Sequence, residues 1–232
     1  MAVPTDSGET FLREVDENLR RDQLQDAAKK YGAWIAAAVV LLLAAAAGWL
    51  YWQDRQQKAA AKDSEALAQV YTDIGAGKLG NVPQRLDGLA GQSNGALRAS
   101  ALLTRAAVAL EQNDRALATA KFREIAADDD LPQPYRDLAL IRGTTMEFDT
   151  IPADQVIVRM QPLAKPGNPW FGTAGELTAM ALIKQGKKAE AGRLFAAIAA
   201  DQQAPQSIRA RAVQIAGTLG VDASASMPAI TQ

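Results

Sequence analysis

The sequence contains no cysteine and no histidine. Without cysteine, disulfides, thiol nucleophiles and cysteine-ligated zinc are excluded. Without histidine, the chain lacks the commonest general base near neutral pH and the commonest transition-metal ligand. The phosphate-loop motif is missing as well. We therefore expect no enzyme activity, no cofactor, no metal and no small-molecule substrate.

The sequence also lacks a large excess of either sign of charge, because the formal net charge is only −1. Neither end of the chain has the basic excess of a nucleic-acid-binding protein, so we expect no nucleic-acid partner. The acidic run Asp128, Asp129 and Asp130 follows a helical pattern and precedes Pro132. This position favours a solvated turn over a metal or catalytic cluster. A hydrolase acting through carboxylates would need paired acids converging in a pocket, and no spacing here supports that reading.

What the sequence does have is an uncharged stretch over residues 31–53. As a helix it is roughly 35 Å long at about 1.5 Å per residue, enough to cross the hydrocarbon core of a bilayer. Basic and aromatic residues at both ends predict anchors at the membrane interfaces: Lys29, Lys30, Tyr31, Trp34, Trp49, Tyr51 and Trp52. A buried core helix and a signal peptide cleaved within 44–47 are the alternatives. The length of the run and the acidic segment before it favour an uncleaved single-span anchor.

Small residues within this span form a candidate helix-packing face, made of Ala33 with Ala37 and Ala44 with Gly48. Lysine and arginine are slightly more frequent in residues 16–30 than in 54–68. The bias predicts a cytoplasmic N-terminus.

The remaining boundaries follow from breakers and periodicity. Residues 1–30 are interpreted as a cytoplasmic amphipathic tail, whose apolar stripe either docks on a membrane or partner or is incidental. Residues 54–95 are predicted to be a connecting helix and loop, broken by glycines from Gly75 onward. Residues 96–220 read as the main helical domain. Residues 221–232 read as a disordered C-terminal tail.

The helical domain repeats itself when residues 110–139 are aligned with 183–212. The two stretches are about 73 residues apart, close to two units of a 34-residue helix-turn-helix repeat. The predicted repeat-core residues are Leu110, Phe122, Ile125, Ile183, Phe195 and Ile198. Trp170 opens the second repeat unit with Phe171 beside it, and both are candidate partner-binding residues. For Trp170 the alternative is a core anchor. The predicted fold is all-α: one N-terminal transmembrane helix, then a tetratricopeptide-like solenoid of helical hairpins.

Four segments carry a resemblance to a known family: Lys-Lys-Tyr-Gly at 29–32, Gly-Trp-Leu-Tyr-Trp at 48–52, Gly-Ala-Gly-Lys at 75–78, and Ala-Leu-Ile-Lys-Gln-Gly-Lys at 181–187. With the order of elements around them, they resemble the YfgM-like family of ancillary subunits of the bacterial SecYEG translocon. The resemblance implies a single-pass inner-membrane protein with a cytoplasmic N-terminus and a periplasmic helical domain. It also implies two partners, the translocon and a membrane-anchored periplasmic chaperone, with a role in handing over exported proteins.

A second interpretation stays open at this point. The same architecture suits an envelope coordinator that binds cell-wall synthesis or cell-division proteins, and recovery of partners would separate the two.

Overall fold

The computed structural model describes residues 7–93 and 95–226 of the chain, and these form helices joined by short connections, with no strand among them. The helices are α1 Ser7–Gly75, α2 Val82–Gln92, α3 Gly95–Glu111, α4 Arg115–Ala127, α5 Gln133–Glu147, α6 Ala153–Met160, α7 Phe171–Lys184, α8 Lys188–Ala200 and α9 Gln206–Thr218, followed by a 3₁₀ turn at Ser224–Ser226. This confirms the predicted all-α class.

The chain divides into two compact units, Met1–Ala61 and Lys62–Gln232. In the first unit, α1 includes a stretch that is long and apolar enough to cross a membrane by length and composition. The predicted interface aromatics are all exposed on it, from Tyr51 and Trp52 at one end to Trp34, the most exposed at 77%. The amphipathic tail is predicted to be helical, and from Ser7 onward it lies within α1, whereas the side chains of its apolar stripe lie outside the described residues.

The second unit begins at Lys62, well before the domain start expected at residue 96. Leu67 and Val70 in the last turns of α1 are buried in one apolar core with Val82 and Leu86 of α2. No proline or glycine interrupts the chain between the uncharged run and Gly75, so the helix continues into this unit. From Lys62 onward, the segment assigned to a connection is therefore part of the packed domain.

Helices α2 to α9 pack in sequence, each against the next. The odd-numbered helices also contact one another, α3 with α5, α5 with α7, and α7 with α9. Among the described residues no two even-numbered helices are in contact. The odd row is therefore the more closely spaced, as expected for the inner side of a curved helical-hairpin stack. We call the surface of the odd-numbered helices the inner face, and that of the even-numbered helices the outer face.

The two repeat units have the same turn geometry. Asn113 and Gly186 both adopt positive φ, 61° and 77°. Their backbone N–H groups donate to the carbonyls of Leu110 and Ile183, each at 2.9 Å. At the first turn the Asp114 carboxylate caps α4 by accepting from the Leu117 N–H.

The acidic turn that ends α4 has a structural role. The Asp128 carboxylate accepts a hydrogen bond from the Asp130 N–H at 3.0 Å and pairs with Arg98 at 2.9 Å. Asp129 pairs with Arg136. These contacts use the acids to fix the chain reversal between α4 and α5.

The repeat-core positions differ in burial. Phe122, Ile125, Phe195 and Ile198 are each at most 2% exposed. Leu110 and Ile183 are half-buried and pack at the edge of the cores. A third core between them joins α5, α6 and α7 through Ile141, Val156, Met160 and Ala174.

The residues after α9 are not a free tail. Ala223 is buried in the core around Phe195, and Val221 packs against the same core. A Cβ placed on Gly192 of α8 would lie 2.7 Å from Cγ2 of Val221, so the glycine allows this close approach. Of the predicted disordered tail, residues 221–226 are thus ordered against the domain, and 227–232 lie outside the described residues.

Candidate protein-interaction surface

A cavity of about 360 Å³ opens between the end of α1, α3 and α5, with one residue of α4 at its base. We call it the inner groove. Its walls combine apolar side chains with two charged ones: Tyr71, Ile74, Leu103, Thr104, Ala107, Val108, Glu111, Phe122, Leu138 and Arg142. Because three odd-numbered helices contribute, the groove lies on the inner face of the compact unit that begins at Lys62.

Tyr71 is the most prominent aromatic of the groove, with 49% of its surface exposed. Its hydroxyl lies 3.3 Å from Oγ1 of Thr104. The Thr104 hydroxyl already donates to the carbonyl of Ser100 at 2.7 Å, so Tyr71 donates and Thr104 accepts. This bond orients an aromatic ring with one apolar face towards solvent, an arrangement common at protein interfaces.

Charges of both signs flank the apolar floor. Glu111 and Arg142 are exposed on α3 and α5, and neither forms an ion pair within the described part of the chain. A polypeptide lying in the groove can therefore present either sign of charge to the rim while an apolar side chain contacts Leu103 and Leu138.

In the second repeat unit, which comprises α7 to α9, an ion pair occupies the place equivalent to the groove. Sequence alignment of the units puts Glu176 and Arg211 where Leu103 and Leu138 stand in the first. The Arg211 guanidinium makes two parallel hydrogen bonds to the Glu176 carboxylate, at 2.7 and 2.6 Å. Hydrogen bonding to this carboxylate raises the pKa of Arg211 above its ordinary value. A bidentate ion pair thus bridges α7 and α9, whereas α3 and α5 leave an apolar opening.

The residues singled out at the start of the second unit are mostly interior. Phe171 is 1% exposed and belongs to the core around Phe195, so its assignment as a partner-binding residue is wrong. Trp170 is half-buried and packs against the core joining α5, α6 and α7. Apolar side chains next to a helix start are buried here because α7 begins at Phe171 and turns that face inward.

The residues predicted to form the helix-packing face of the candidate membrane helix are exposed at its surface. Ala33, Ala37, Ala44 and Gly48 are all exposed on α1, and no other described helix covers them. At the end of this stretch the Trp49 and Trp52 rings lie 5.6 Å apart. These residues remain candidates for helix packing and interface anchoring.

Sequence reasoning did not find the inner groove, because its walls come from helices far apart in the chain. The one local signal was the helical spacing of Leu67, Val70, Tyr71 and Ile74. Of these four, Leu67 and Val70 enter the core while Tyr71 and Ile74 line the groove.

A curved stack of helical hairpins with an apolar groove defines the class of tetratricopeptide-like solenoids, which typically act as non-catalytic scaffolds for protein interactions. The family model described as a tetratricopeptide repeat-like domain matches residues 28–217. The match spans most of the chain, which therefore belongs to this family. Comparison with curated proteins and with solved structures finds no match for the chain.

Proposed function

We propose that this protein is a membrane-anchored scaffold whose inner groove binds apolar segments of other polypeptides. The observation that carries the proposal is the opening between Tyr71, Leu103 and Leu138, on the face where odd-numbered helices lie closest. A solenoid holds such a surface rigidly, because each hairpin is fixed by its neighbours. No bond-making chemistry is needed for this role.

The anchor is the second part of the proposal. Residues 31–53 cross the membrane, with Lys29, Lys30, Tyr31 and Trp34 at one interface and Trp49, Tyr51 and Trp52 at the other. Residues 1–30 face the cytoplasm of a bacterial cell, and the unit beginning at Lys62 faces the periplasm. Tethering confines the groove to the membrane surface, which raises its effective concentration for partners in the same membrane.

The partners follow from the resemblance to the YfgM-like family. We propose that the scaffold is an ancillary subunit of the SecYEG translocon and that it assists a membrane-anchored periplasmic chaperone in receiving exported proteins. Membership of the tetratricopeptide repeat-like family supports the interaction role. The order of anchor and solenoid supports the location next to a membrane channel.

The test places a photocrosslinking amino acid in the full-length protein within membranes. p-Benzoylphenylalanine replaces Tyr71 in the groove, and a control carries it at Val158, which is 68% exposed on α6. Crosslinked and affinity-purified partners are identified by mass spectrometry, with a version lacking residues 31–53 alongside.

Three outcomes are informative. Crosslinks from position 71 but not 158 to translocon or chaperone subunits, lost without the anchor, would support the proposal. Crosslinks to cell-wall synthesis or division proteins would retire the translocon role in favour of the envelope coordinator. Equal labelling from both positions would show that the groove is not the binding surface.

A further inference from the structure

A second cavity, of about 270 Å³, lies between α4, α5 and α6. We call it the outer cavity, because two of its three helices belong to the outer face. Phe122, Ala126, Ala139, Leu140 and Gly143 form its apolar wall. Its volume is below the roughly 300–1,000 Å³ of pockets that hold drug-sized ligands, and it suits one large side chain.

Two arginines and one glutamate form the polar side of the outer cavity. Glu147 is only 5% exposed, and both of its neighbours donate to its carboxylate, Arg123 from α4 and Arg159 from α6, the latter at 2.8 Å. The hydrogen bond from Arg123, aided by Arg159, lowers the pKa of Glu147 below its ordinary value against the opposing effect of burial. The carboxylate is therefore ionised near neutral pH, and the cluster has a net charge of about +1.

That positive charge is accessible to a partner. The Arg123 side chain is 63% exposed and that of Arg159 is 32% exposed, whereas the Glu147 side chain is 6% exposed. A guanidinium has five donors, so each arginine keeps N–H groups free after bonding one carboxylate. An incoming carboxylate meets two cations at the surface, with their counter-charge underneath.

The cavity wall also holds an unsatisfied hydroxyl. Thr144 is 1% exposed, and its Oγ1 has no hydrogen-bond partner in the part of the chain that the structure describes. Several other helical threonines have a partner: Thr104, Thr145 and Thr178 each donate to the carbonyl four residues earlier. A buried hydroxyl without a partner costs free energy. A polar atom of an occupant that reaches it after a side-chain rotation would recover that cost.

In the second repeat unit, the chain path covers the corresponding side of the hairpin. After α9, Val221 and Ala223 fold back onto α8 and complete its core. After α5, Phe148 and Ile151 pack forward into the core shared with α7. The outward side of α4 is therefore left without the cover that α8 receives.

We propose that the outer cavity is a second binding site, which takes one large apolar side chain of a partner polypeptide with an acidic residue next to it. The apolar side chain occupies the space beside Phe122 and Leu140. The neighbouring carboxylate pairs with Arg123 and Arg159. This site is distinct from the inner groove and independent of the translocon role: α5 contributes to both cavities, but Phe122 is the one lining residue that they share.

Binding is measured with the full-length protein in detergent micelles by fluorescence anisotropy. The probe is a fluorescein-labelled peptide with the central sequence Glu-Phe-Glu between Gly-Ser linkers. Two companion peptides replace phenylalanine by alanine or both glutamates by lysines. We expect each companion to bind at least about tenfold more weakly, since a buried phenylalanine contributes about 1.5–3 kcal/mol and 1.4 kcal/mol is tenfold.

Three variants connect binding to the cavity. Ala127→Trp, at an exposed position of the cavity wall, should block the Glu-Phe-Glu peptide. Arg123→Gln should weaken that peptide about five- to tenfold while leaving a Gln-Phe-Gln peptide unaffected, because Arg159 still holds Glu147. Arg142→Gln on the rim of the inner groove distinguishes the two sites, because it should leave binding at the outer cavity unchanged. Arg193→Gln, exposed on α8 and outside both cavities, is the matched control and should change neither peptide's binding. Far-UV circular dichroism establishes that each variant is folded.

The proposal is overturned if the three peptides bind alike, or if Ala127→Trp leaves binding of the Glu-Phe-Glu peptide unchanged. Loss of peptide binding in Arg142→Gln but not in Arg123→Gln would assign the peptide to the inner groove instead. Neither result depends on whether crosslinks form from position 71.

Discussion

Phe122 and Phe195 occupy equivalent positions in the two units, yet their replacement by alanine should not cost the same. Both rings are nearly inaccessible, at 2% and 0% exposure. Their surroundings differ, because Phe122 borders the inner groove and the outer cavity, whereas Phe195 lies within a continuous core with Ile198 and Phe171. A side chain next to empty space has fewer atoms in contact and loses less when it is removed.

The expected magnitudes follow from this difference. Phe→Ala in a well-packed core costs about 3–5 kcal/mol of unfolding free energy. We expect Phe195→Ala to fall near the top of that range, at about 4–5 kcal/mol. For Phe122→Ala, cavities of about 270 and 360 Å³ already flank the ring. Its cost should be about 2–3 kcal/mol, below or at the bottom of the same range.

The assay needs a spectroscopic probe inside the compact unit that begins at Lys62, which holds both phenylalanines. The chain has four tryptophans, and three of them, Trp34, Trp49 and Trp52, lie on the candidate membrane helix. Replacing those three by phenylalanine leaves Trp170, which packs against the core of α5, α6 and α7. The tryptophan fluorescence of this full-length protein, followed during urea unfolding in micelles, then reports on the compact unit beginning at Lys62 alone. A difference of about 2 kcal/mol corresponds to about 1 M in midpoint for a slope near 2 kcal/mol/M.

Equal midpoints for the two variants would refute the reasoning, since they would mean that the cavities do not reduce the packing of Phe122. A lower midpoint for Phe122→Ala would refute it more strongly. The slopes must agree between variants for the comparison to hold, because a changed slope indicates a changed denatured state.

Further substitutions test the electrostatics, the close contacts and the positive-φ turn. Glu147→Gln should lower the unfolding free energy, measured by urea unfolding, by about 1–3 kcal/mol at pH 7. The pKa of Glu147 is lower in the folded than in the unfolded state. The difference in unfolding free energy between wild type and variant should therefore shrink as the pH falls below about 4.3. Gly192→Ala should lower the unfolding free energy by about 1–3 kcal/mol, and adding Val221→Ala should restore part of that loss. Gly88→Ala, with open space around the added Cβ, should instead raise the unfolding free energy by about 0.5–1 kcal/mol in the same assay. Gly186→Ala, at a φ of 77°, should lower the melting temperature, with a cost of about 1–2 kcal/mol.

Local signals were sufficient for the helices of the domain. Asp114 as an N-cap and the acidic turn at Asp128 bracket α4, and the observed helix is Arg115–Ala127. The repeat was readable because the same turn chemistry recurs where Gly186 replaces Asn113. Both residue types tolerate the positive φ that the turn requires.

The domain start could not be read in the same way. A helix that enters a core and a helix that merely connects have the same local spacing, so Leu67 and Val70 looked like a stripe on a linker. What decides between the two is contact with Val82 and Leu86 of α2, which is tertiary. The same limit applies to the cluster at the outer cavity, where Arg123 and Arg159 meet Glu147 from two other helices.

The two repeat units share the same arrangement of helical hairpins but differ in which of their surfaces are open. On the inner face, the Arg211–Glu176 pair closes the second unit at the place where Leu103 and Leu138 leave the first open. On the outer face, the segment carrying Val221 covers α8, while the equivalent surface of α4 borders a cavity. Both openings thus belong to the first unit and both closures to the second. Substitutions of surface-lining residues should therefore alter binding in the first unit, whereas in the second unit they should act mainly through stability.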